Sequence, residues 1–280
     1  MSIIRREKSR TGVYHVLAQG AGNHELFLDE EDYQVFIGYL AKLMKEAWAE
    51  DDEPERPYFH TYAYCLTPKQ FRLIVREEKY QVSAIMQSIS QLYSRYFSGK
   101  YCSYGPLYRR RYYSEPINDE ERLEVVMRYV HQEPQRLGLC VPQKLQKGQK
   151  EGVPQKGDLD EWAWSSWHEY VGLGCDLPRV CEMPDACHDL TAEQWRDLLS
   201  KPLPEGTKCL EPKEYRAPKP TETQVLSMVK VMTIATTWEE FRAIPKEEQL
   251  KTIKRLLQNG ASIRQMEKLT GIGRGVIQNL

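Results

Sequence analysis

Three features are missing from this sequence: a long apolar run, paired cysteines and net charge. Its apolar runs all fall short of the roughly 18 residues that a membrane-spanning helix needs. The first ten residues are too short and too polar for a secretory signal. We therefore expect a cytoplasmic protein with no membrane partner. A formal net charge of -1 gives the whole molecule no long-range attraction for nucleic acid.

The cysteines do not form a recognisable metal or disulfide pattern. There are seven, at positions 65, 102, 140, 175, 181, 187 and 209, and no two are spaced as C-x-x-C. This scatter excludes a disulfide framework and a common zinc ribbon, and it predicts reduced thiols and no bound metal. Cys175, Cys181 and Cys187-His188 are an alternative zinc set, although their five-residue gaps match no finger pattern.

Positive charge is concentrated locally in spite of the low net charge. The stretch LYRRRYY, residues 107–113, places three arginines among tyrosines. Arginines neutralise phosphates and tyrosines stack on bases, so this composition suits single-stranded nucleic acid. We take Arg109, Arg110, Arg111 and Tyr112 as candidate DNA contacts. The alternative is a solvated edge strand with ordinary salt bridges.

The hydrophobic periodicity predicts an α+β fold. Period-two stretches indicate strands at 12–19, 58–66, 70–76 and 106–115, and helical spacing indicates helices at 29–46, 80–97 and 119–133. Asp29 is placed as the N-cap of the first helix, and Pro134 ends the last one. The order β-α-β-β-α-β predicts a ferredoxin-like sandwich, with an antiparallel sheet covered by helices on one face and a further helix added.

Composition divides the chain into five regions. The sandwich would occupy 1–142. It is followed by a flexible basic linker or loop at 143–158, an aromatic segment at 159–172 that packs back on the sandwich, an irregular region at 173–240 with one short helix near 192–199, and a C-terminal region at 241–280.

The C-terminal region has the pattern of a helix-turn-helix. A helix up to Gln258 is followed by a Gly260 cap, a short helix at 262–269, a glycine turn at 271–273 and a final segment that ends at Leu280. This pattern predicts binding to duplex DNA through basic side chains, for which the candidates are Arg264, Lys268 and Arg274. An ordinary helical hairpin is the alternative, and the recognition helix would be short.

With this order of elements in place, successive stretches resemble one known family. The blocks TGVYHVLAQG, LFLDEEDYQVF, YAYCLTP, SRYFSGKY, GPLYRRRYYSEPI, MRYVHQEPQRLGL and WSSWHEY closely resemble those of the REP-associated tyrosine transposases, over roughly residues 10–170. These belong to the single-tyrosine HUH class of bacterial transposases. The stretch SIRQMEKLTGIGRGVIQ is similar to the helix-turn-helix that follows this domain in many Firmicute members.

The resemblance implies a protein that cuts single-stranded hairpin DNA. In that family Mg²⁺ or Mn²⁺, held by two histidines and a polar side chain, polarises the phosphate while a tyrosine attacks it to give a 5′-phosphotyrosine. Members of the family act as homodimers. The resemblance therefore implies a homodimer that is associated with the bacterial nucleoid. The tyrosine corresponds to Tyr129. At 100° per residue it lies about 120° from the apolar stripe of helix 119–133, which favours an exposed, functional side chain over a core aromatic.

The two histidines are the departure from the family. Their positions hold Gln70 and Arg72, and the third ligand position holds Glu133. Period-two alternation still points Gln70 and Arg72 to one face. A guanidinium has no lone pair, and at ~4 Å from a divalent ion it would cost on the order of 8 kcal/mol at an effective dielectric of 20. We therefore expect a degenerate site in which Arg72 forms an ion pair with Glu133 and no cofactor is bound.

Three functions remain open from the sequence. The first is a catalytically impaired relative that binds single-stranded or hairpin DNA. The second is an active nickase or transposase in which Arg72 and Arg111 replace the metal, Tyr129 attacks, and Glu133 or His131 takes its proton. The third is a dimeric regulator that binds duplex DNA through the helix-turn-helix. A metal, Mg²⁺ or Mn²⁺, belongs only to an active enzyme, and His24 with Glu25 would supply replacement ligands only if their loop folds over the site. Of these three functions, the sequence favours the catalytically impaired DNA-binding relative, which is not an enzyme.

Overall fold

A computed structural model describes most of the chain. The described residues are 7–21, 25–46, 59–101, 106–109, 111–140, 158–174, 176–184, 189–211, 220–258 and 260–280. Within these ranges, no helix combines the length and the apolarity needed to cross a membrane. His24, Arg110 and almost all of the predicted linker at 143–158 lie outside them.

The first part of the chain forms the predicted β-α-β-β-α-β sandwich. Its elements are β1 (Val13–Gln19), α1 (Glu30–Glu46), β2 (Phe59–Thr67), β3 (Gln70–Glu77), α2 (Val82–Tyr101), β4 (Tyr113–Ile117), α3 (Glu120–His131) and the single turn α4 (Glu133–Arg136). The four strands lie in the order β2-β3-β1-β4, and every neighbouring pair is antiparallel. The predicted α+β class and strand arrangement are confirmed.

Local capping explains where two of these helices begin. Asp29 precedes α1, and its Oδ1 accepts a hydrogen bond from the Asp32 backbone N–H at 3.1 Å. Asp119 does the same for α3, where it accepts from the Arg122 N–H at 2.7 Å. Each carboxylate satisfies a backbone donor that has no partner within the helix and interacts favourably with the helix dipole. The predicted N-cap at Asp29 is confirmed.

Helices cover both faces of the sheet, not one. Phe71 on β3 packs against Phe36 of α1, with ring centroids 4.6 Å apart. The alternate residues Gln70 and Arg72 point to the opposite face, where α3 and α4 lie. The first six residues of β3 are all buried as a result. The added helix is thus a third layer, and it encloses polar side chains between itself and the sheet.

The predicted strand at 106–115 is wrong in its position. β4 begins only at Tyr113 and continues to Ile117. Before it, residues 107–109 follow the end of β1 through separate hydrogen bonds, such as Arg109 N–H to the Gln19 carbonyl at 3.0 Å. Pro116 fits in β4 because this strand lies at the edge of the sheet, where a missing N–H does not break a ladder.

The predicted helix at 119–133 also ends earlier than expected. α3 stops at His131, and a separate turn runs over Glu133–Arg136. Pro134 sits in the first turn of α4, where its missing N–H would have no partner in any case. This break lets Glu133 turn toward β3 from a new helical segment.

The aromatic segment at 159–172 packs on β2. It comprises a short 3₁₀ turn (Asp158–Glu161) and α5 (Trp167–Val171). The Ser166 N–H donates to the Tyr64 carbonyl at 2.9 Å, and Trp167 and Tyr170 are buried in the sandwich core. The short helix predicted near 192–199 is present as α6 (Ala192–Leu199), which adds Trp195 and Leu199 to the same core.

The cysteines in the described residues are free thiols. Cys65, Cys140 and Cys181 are buried, and Cys209 is partly buried. Burial raises the pKa of Cys65 and of Cys181, so both are held as neutral thiols. Of the alternative zinc set, Cys175 and Cys187-His188 fall outside the described ranges. Inside those ranges, no three His, Cys, Asp or Glu side chains are grouped to hold a metal ion.

The last part of the chain has a helical core of its own. It contains α7 (Glu222–Met232), α8 (Trp238–Ala243), α9 (Lys246–Gln258), α10 (Ile263–Thr270) and α11 (Arg274–Gln278). Its buried residues include Val225, Phe241 and Met266. The expectation of irregular chain over 173–240 is therefore wrong for α7 and α8. A capping box between Thr221 and Gln224 starts α7 and was present in the sequence as T-x-x-Q.

Candidate functional site

The centre of the polar layer is a buried ion pair between β3 and α4. Arg72 and Glu133 expose only 2% and 3% of their side chains, and Arg72 Nε contacts Glu133 Oε2. Gln70 donates its side-chain N–H to the other carboxylate oxygen, and Arg136 donates to Oε2 at 3.0 Å. The predicted ion pair across the site is confirmed. Arg136 is a fourth member that the sequence analysis missed.

These side chains do not fit a divalent metal ion. The Glu133 carboxylate is already bonded by two guanidinium groups and an amide. An ion placed beside it would meet the positive charges of Arg72 and Arg136, and neither arginine has a lone pair to offer. We therefore derive no metal-dependent step from this site.

Tyr129 lies in the same layer and is buried, so the expected exposed side chain is wrong. Only 4% of Tyr129 is exposed. The guanidinium carbon of Arg136 is 3.7 Å from its ring centroid, and that of Arg72 is 5.0 Å away. The tyrosine hydroxyl donates a hydrogen bond to the carboxylate of Glu211. The residue lies off the apolar stripe, as predicted, but arginine side chains and a distant segment cover it.

The surroundings of Tyr129 favour its neutral form. Burial raises the pKa of the Tyr129 hydroxyl above its usual range. The hydrogen bond to Glu211 raises this pKa further, because a carboxylate stabilises the protonated donor. Arg72 and Arg136 act in the opposite direction but do not outweigh these causes. A nucleophilic role for Tyr129 would need Glu211 to accept the proton or to leave.

A buried histidine next to Arg72 was also missed. His15 on β1 is fully buried, and its Nδ1 lies 2.8 Å from Glu115 Oε1 on β4. Its Nε2 lies 3.5 Å from Arg72 Nη1, which can only donate, so we assign the ring hydrogen to Nδ1. Burial lowers the pKa of His15, although Glu115 opposes this. The site therefore contains a neutral imidazole held by a carboxylate.

His131 cannot serve as the base for Tyr129. Its Nδ1 donates to the Met127 carbonyl at 2.8 Å, and its Nε2 lies 2.8 Å from Ser166 Oγ. The Nδ1 bond fixes the ring within α3, and the Nε2 bond ties α3 to the aromatic segment. Burial lowers the pKa of His131 to about 4. The hypothesis that His131 accepts the tyrosine proton is wrong because of this orientation.

The arginine patch is not one continuous surface. Arg109 is half-buried, and its Nη1 donates to the Gln19 side chain at 3.0 Å. Tyr112 packs partly buried against the sandwich core, whereas Arg111 is exposed. Arg110 lies outside the described residues. The structure brings Arg136 to Tyr129, where the sequence analysis had placed Arg111.

The C-terminal helices have the predicted bounds to within a residue. α10 begins with a capping box between Ser262 and Gln265 and ends at Gly271, whose φ of 79° suits glycine. Arg264 and Lys268 are exposed on α10. Arg274 on α11 is exposed but forms an ion pair with Glu267 at 2.8 Å. Two of the three predicted DNA contacts are thus exposed on α10, and α11 has only five residues.

Fold and site together define an α+β sandwich that encloses a tyrosine, arginine and glutamate cluster. No protein-family model matches the chain, and no curated protein matches its sequence. Among solved structures, one described as the "REP associates tyrosine transposase bound to a REP hairpin" is similar, with a TM-score of 0.44 and 16% identity. The match covers 66% of this chain and 93% of that one.

Proposed function

We propose that this protein binds DNA without metal-dependent cleavage. Single-stranded or hairpin DNA would be held by the sandwich, and duplex DNA by the C-terminal helices. The observation that carries the proposal is the Arg72–Glu133 ion pair, which fills the positions where the family resembled in sequence places metal ligands. A DNA-binding protein of this kind would act in the bacterial cytoplasm, at the nucleoid, as a homodimer.

The charge of the site supports binding and opposes metal catalysis. A metal-dependent nuclease needs open coordination positions and anionic or neutral donors around the ion. Here the only carboxylate at those positions is neutralised by two arginines. Arginines retain their charge at any physiological pH, so the site stays attractive to phosphate and repulsive to cations. Arg111, Arg264 and Lys268 are exposed and available for further phosphate contacts.

A second candidate function is cleavage without metal, and the position of Arg136 favours it. Arg72 and Arg136 flank the ring of Tyr129 and would stabilise charge on a scissile phosphate. The Tyr129 oxygen would attack phosphorus, the bond to the 3′ oxygen would break, and a 5′-phosphotyrosine would form. Glu211 already accepts the hydroxyl hydrogen bond and would take the proton. The 3′ oxygen would be protonated by water.

A single experiment separates the two candidates. Labelled hairpin and single-stranded DNA are incubated with wild type, Tyr129→Phe and the control Tyr80→Phe, in magnesium, in manganese or in EDTA. Binding is measured by fluorescence anisotropy, and covalent adducts are detected on denaturing gels. We expect salt-dependent binding and no adduct. An adduct that persists in EDTA and is lost only in Tyr129→Phe would establish the second candidate. Absence of binding to both DNA forms would refute the proposal for the sandwich.

The role of the C-terminal helices is tested with duplex DNA. Arg264→Ala and Lys268→Ala should each weaken duplex binding. Each should also make the fall of log affinity with log salt less steep, by about one unit of slope. If only duplex DNA is bound, and Arg111→Ala leaves affinity unchanged, the protein is a duplex-binding regulator instead. Light scattering of the full chain tests the proposed homodimer.

A further inference from the structure

A short irregular segment after α6 lies across α3 and covers the tyrosine. We call residues 202–211 the cover segment. Its oxygen atoms contact three residues of α3 and one of β3. The Pro202 carbonyl accepts from Arg128 at 3.2 Å, the Lys208 carbonyl from Arg122 at 2.7 Å, the Leu210 carbonyl from Arg72 at 2.5 Å, and the Glu211 carboxylate from the Tyr129 hydroxyl.

The cover segment is held mainly by its oxygen atoms, and of its side chains only that of Cys209 packs against the sandwich core. None of its side chains is fully buried; Leu203, Thr207, Cys209 and Leu210 are half-buried, and the others are exposed. It contains no helix or strand. Since apolar burial is the main source of stability for packed segments, this one can leave at a small cost compared with α3 or β3.

The oxygen atoms of the cover segment lie against arginine side chains, and these positions would favour a ligand rich in anionic oxygen. Three of the four oxygens are neutral carbonyls that each accept from a charged guanidinium. The underlying layer has four arginines, Arg72, Arg122, Arg128 and Arg136, and its carboxylates are Glu115, Glu124 and Glu133. The four arginines and the four carboxylates, Glu211 included, have a formal charge of zero. Without Glu211 the formal charge of this set is +1. One phosphodiester group restores neutrality.

We propose that the face of α3 beneath the cover segment is a binding groove for a phosphodiester strand, which the protein's own cover segment occupies until a nucleic acid displaces it. The strand's phosphate oxygens would replace the three carbonyls and the Glu211 carboxylate. Arg128, Arg122 and Arg72 would become phosphate contacts, and Tyr129 would donate its hydroxyl hydrogen to a phosphate. This inference rests on the proposed single-strand binding and adds to it a specific site and a competing internal ligand.

Two variants on the same segment test the competition. Glu211→Ala removes the carboxylate through which the cover segment accepts the hydrogen bond of the Tyr129 hydroxyl. Glu205→Ala is the matched control, because Glu205 is an exposed glutamate of the same segment. Because Glu211 is exposed and water weakens its hydrogen bond, loss of that bond predicts that Glu211→Ala binds labelled oligothymidylate roughly threefold to tenfold more tightly than wild type. Glu205→Ala should bind as wild type does.

Hydrogen exchange gives a second readout that does not depend on affinity. The Leu210 backbone interacts with the Glu115 carboxylate in the closed arrangement and helps to lower the pKa of Glu115. When oligothymidylate binds wild type, we expect exchange at Lys208–Leu210 to accelerate, while amides of α3 keep their protection. In Glu211→Ala the same amides should exchange faster before any DNA is added.

The outcomes separate this inference from the proposed function. If wild type and Glu211→Ala bind oligothymidylate equally, and exchange in the cover segment is unchanged or slower with DNA, the groove is not the binding site and only this inference fails. If neither protein binds oligothymidylate or hairpin DNA, the inference and the proposed function of the sandwich both fail. Tighter binding by Glu211→Ala together with faster exchange supports both.

Discussion

The buried ion pair makes a strong prediction about stability. Replacing Arg72 with methionine keeps much of the side-chain volume and leaves Glu133 as a buried carboxylate without its main partner. Removal of one member of a buried ion pair costs about 3–5 kcal/mol. Arg136, 30% exposed, still donates to Glu133 at 3.0 Å and Gln70 still donates to its other oxygen, so two remaining partners offset part of the loss. We therefore expect a loss near the lower end, about 3 kcal/mol.

Urea unfolding followed by tryptophan fluorescence measures this loss. The fluorescence reports the sandwich well, since Trp162, Trp164, Trp167 and Trp195 all belong to its core. The matched control is Arg76→Met on the same face of β3. Arg76 is 35% exposed and lies 3.3 Å from the exposed Glu78, so its replacement should cost less than about 1 kcal/mol.

A double variant isolates the interaction itself. Glu133→Gln introduces an amide that can still bond Gln70. The double variant Arg72→Met with Glu133→Gln removes both buried charges, so no unpaired charge stays buried. The double variant should be more stable than the sum of the single losses predicts, by about 2–3 kcal/mol. The reasoning is refuted if Arg72→Met costs no more than Arg76→Met, or if the two single losses simply add.

Three further predictions follow from other parts of the sandwich. His131 has its pKa lowered to about 4 by burial, so the unfolded state takes up its proton first and stability should fall by about 3 kcal/mol from pH 6.5 to pH 4. Urea unfolding of His131→Gln should show a weaker decline, unlike that of the partly exposed control His60→Gln. Gln70→His with Arg72→His should create a manganese site with Glu133, because both side chains already contact that carboxylate. Calorimetry should detect manganese binding by the double variant and not by wild type. Tyr129→Phe removes the hydrogen bond to Glu211 and should accelerate hydrogen exchange at Leu210, whereas Tyr80→Phe should not.

The order of the elements in the sandwich was accessible from the sequence, whereas the third layer was not. Period-two alternation and Asp29 located β1, α1 and β3 to within one or two residues, because local burial and capping decide where these elements begin. The same alternation correctly placed Gln70 and Arg72 on one face. Glu133 was expected at the same face as Arg72. An ion pair is the simplest arrangement for an arginine and a glutamate that lie together there.

The rest of the site depends on contacts between residues far apart in the chain. Glu211 meets Tyr129 across 82 residues, and Glu115 meets His15 across 100. Neither pair has a local pattern that could reveal it. Tyr129 was expected to be exposed because helical periodicity reports the side of a helix and not what covers that side. Arg122 falls within the predicted helix at 119–133 and Arg136 falls beyond it, and nothing in the sequence linked Arg122 to the cover segment or Arg136 to Tyr129.

The arginine at position 72 changes how the site holds its charge. In a metal site, the positive charge that balances Glu133 is a separate ion that can leave or be replaced. Here that charge is attached to β3, and the guanidinium also reaches the carbonyl of Leu210. A guanidinium can donate to a carboxylate and a carbonyl at the same time. Arg72 therefore both pairs with Glu133 and supplies the donor that holds the chain's own segment over Tyr129.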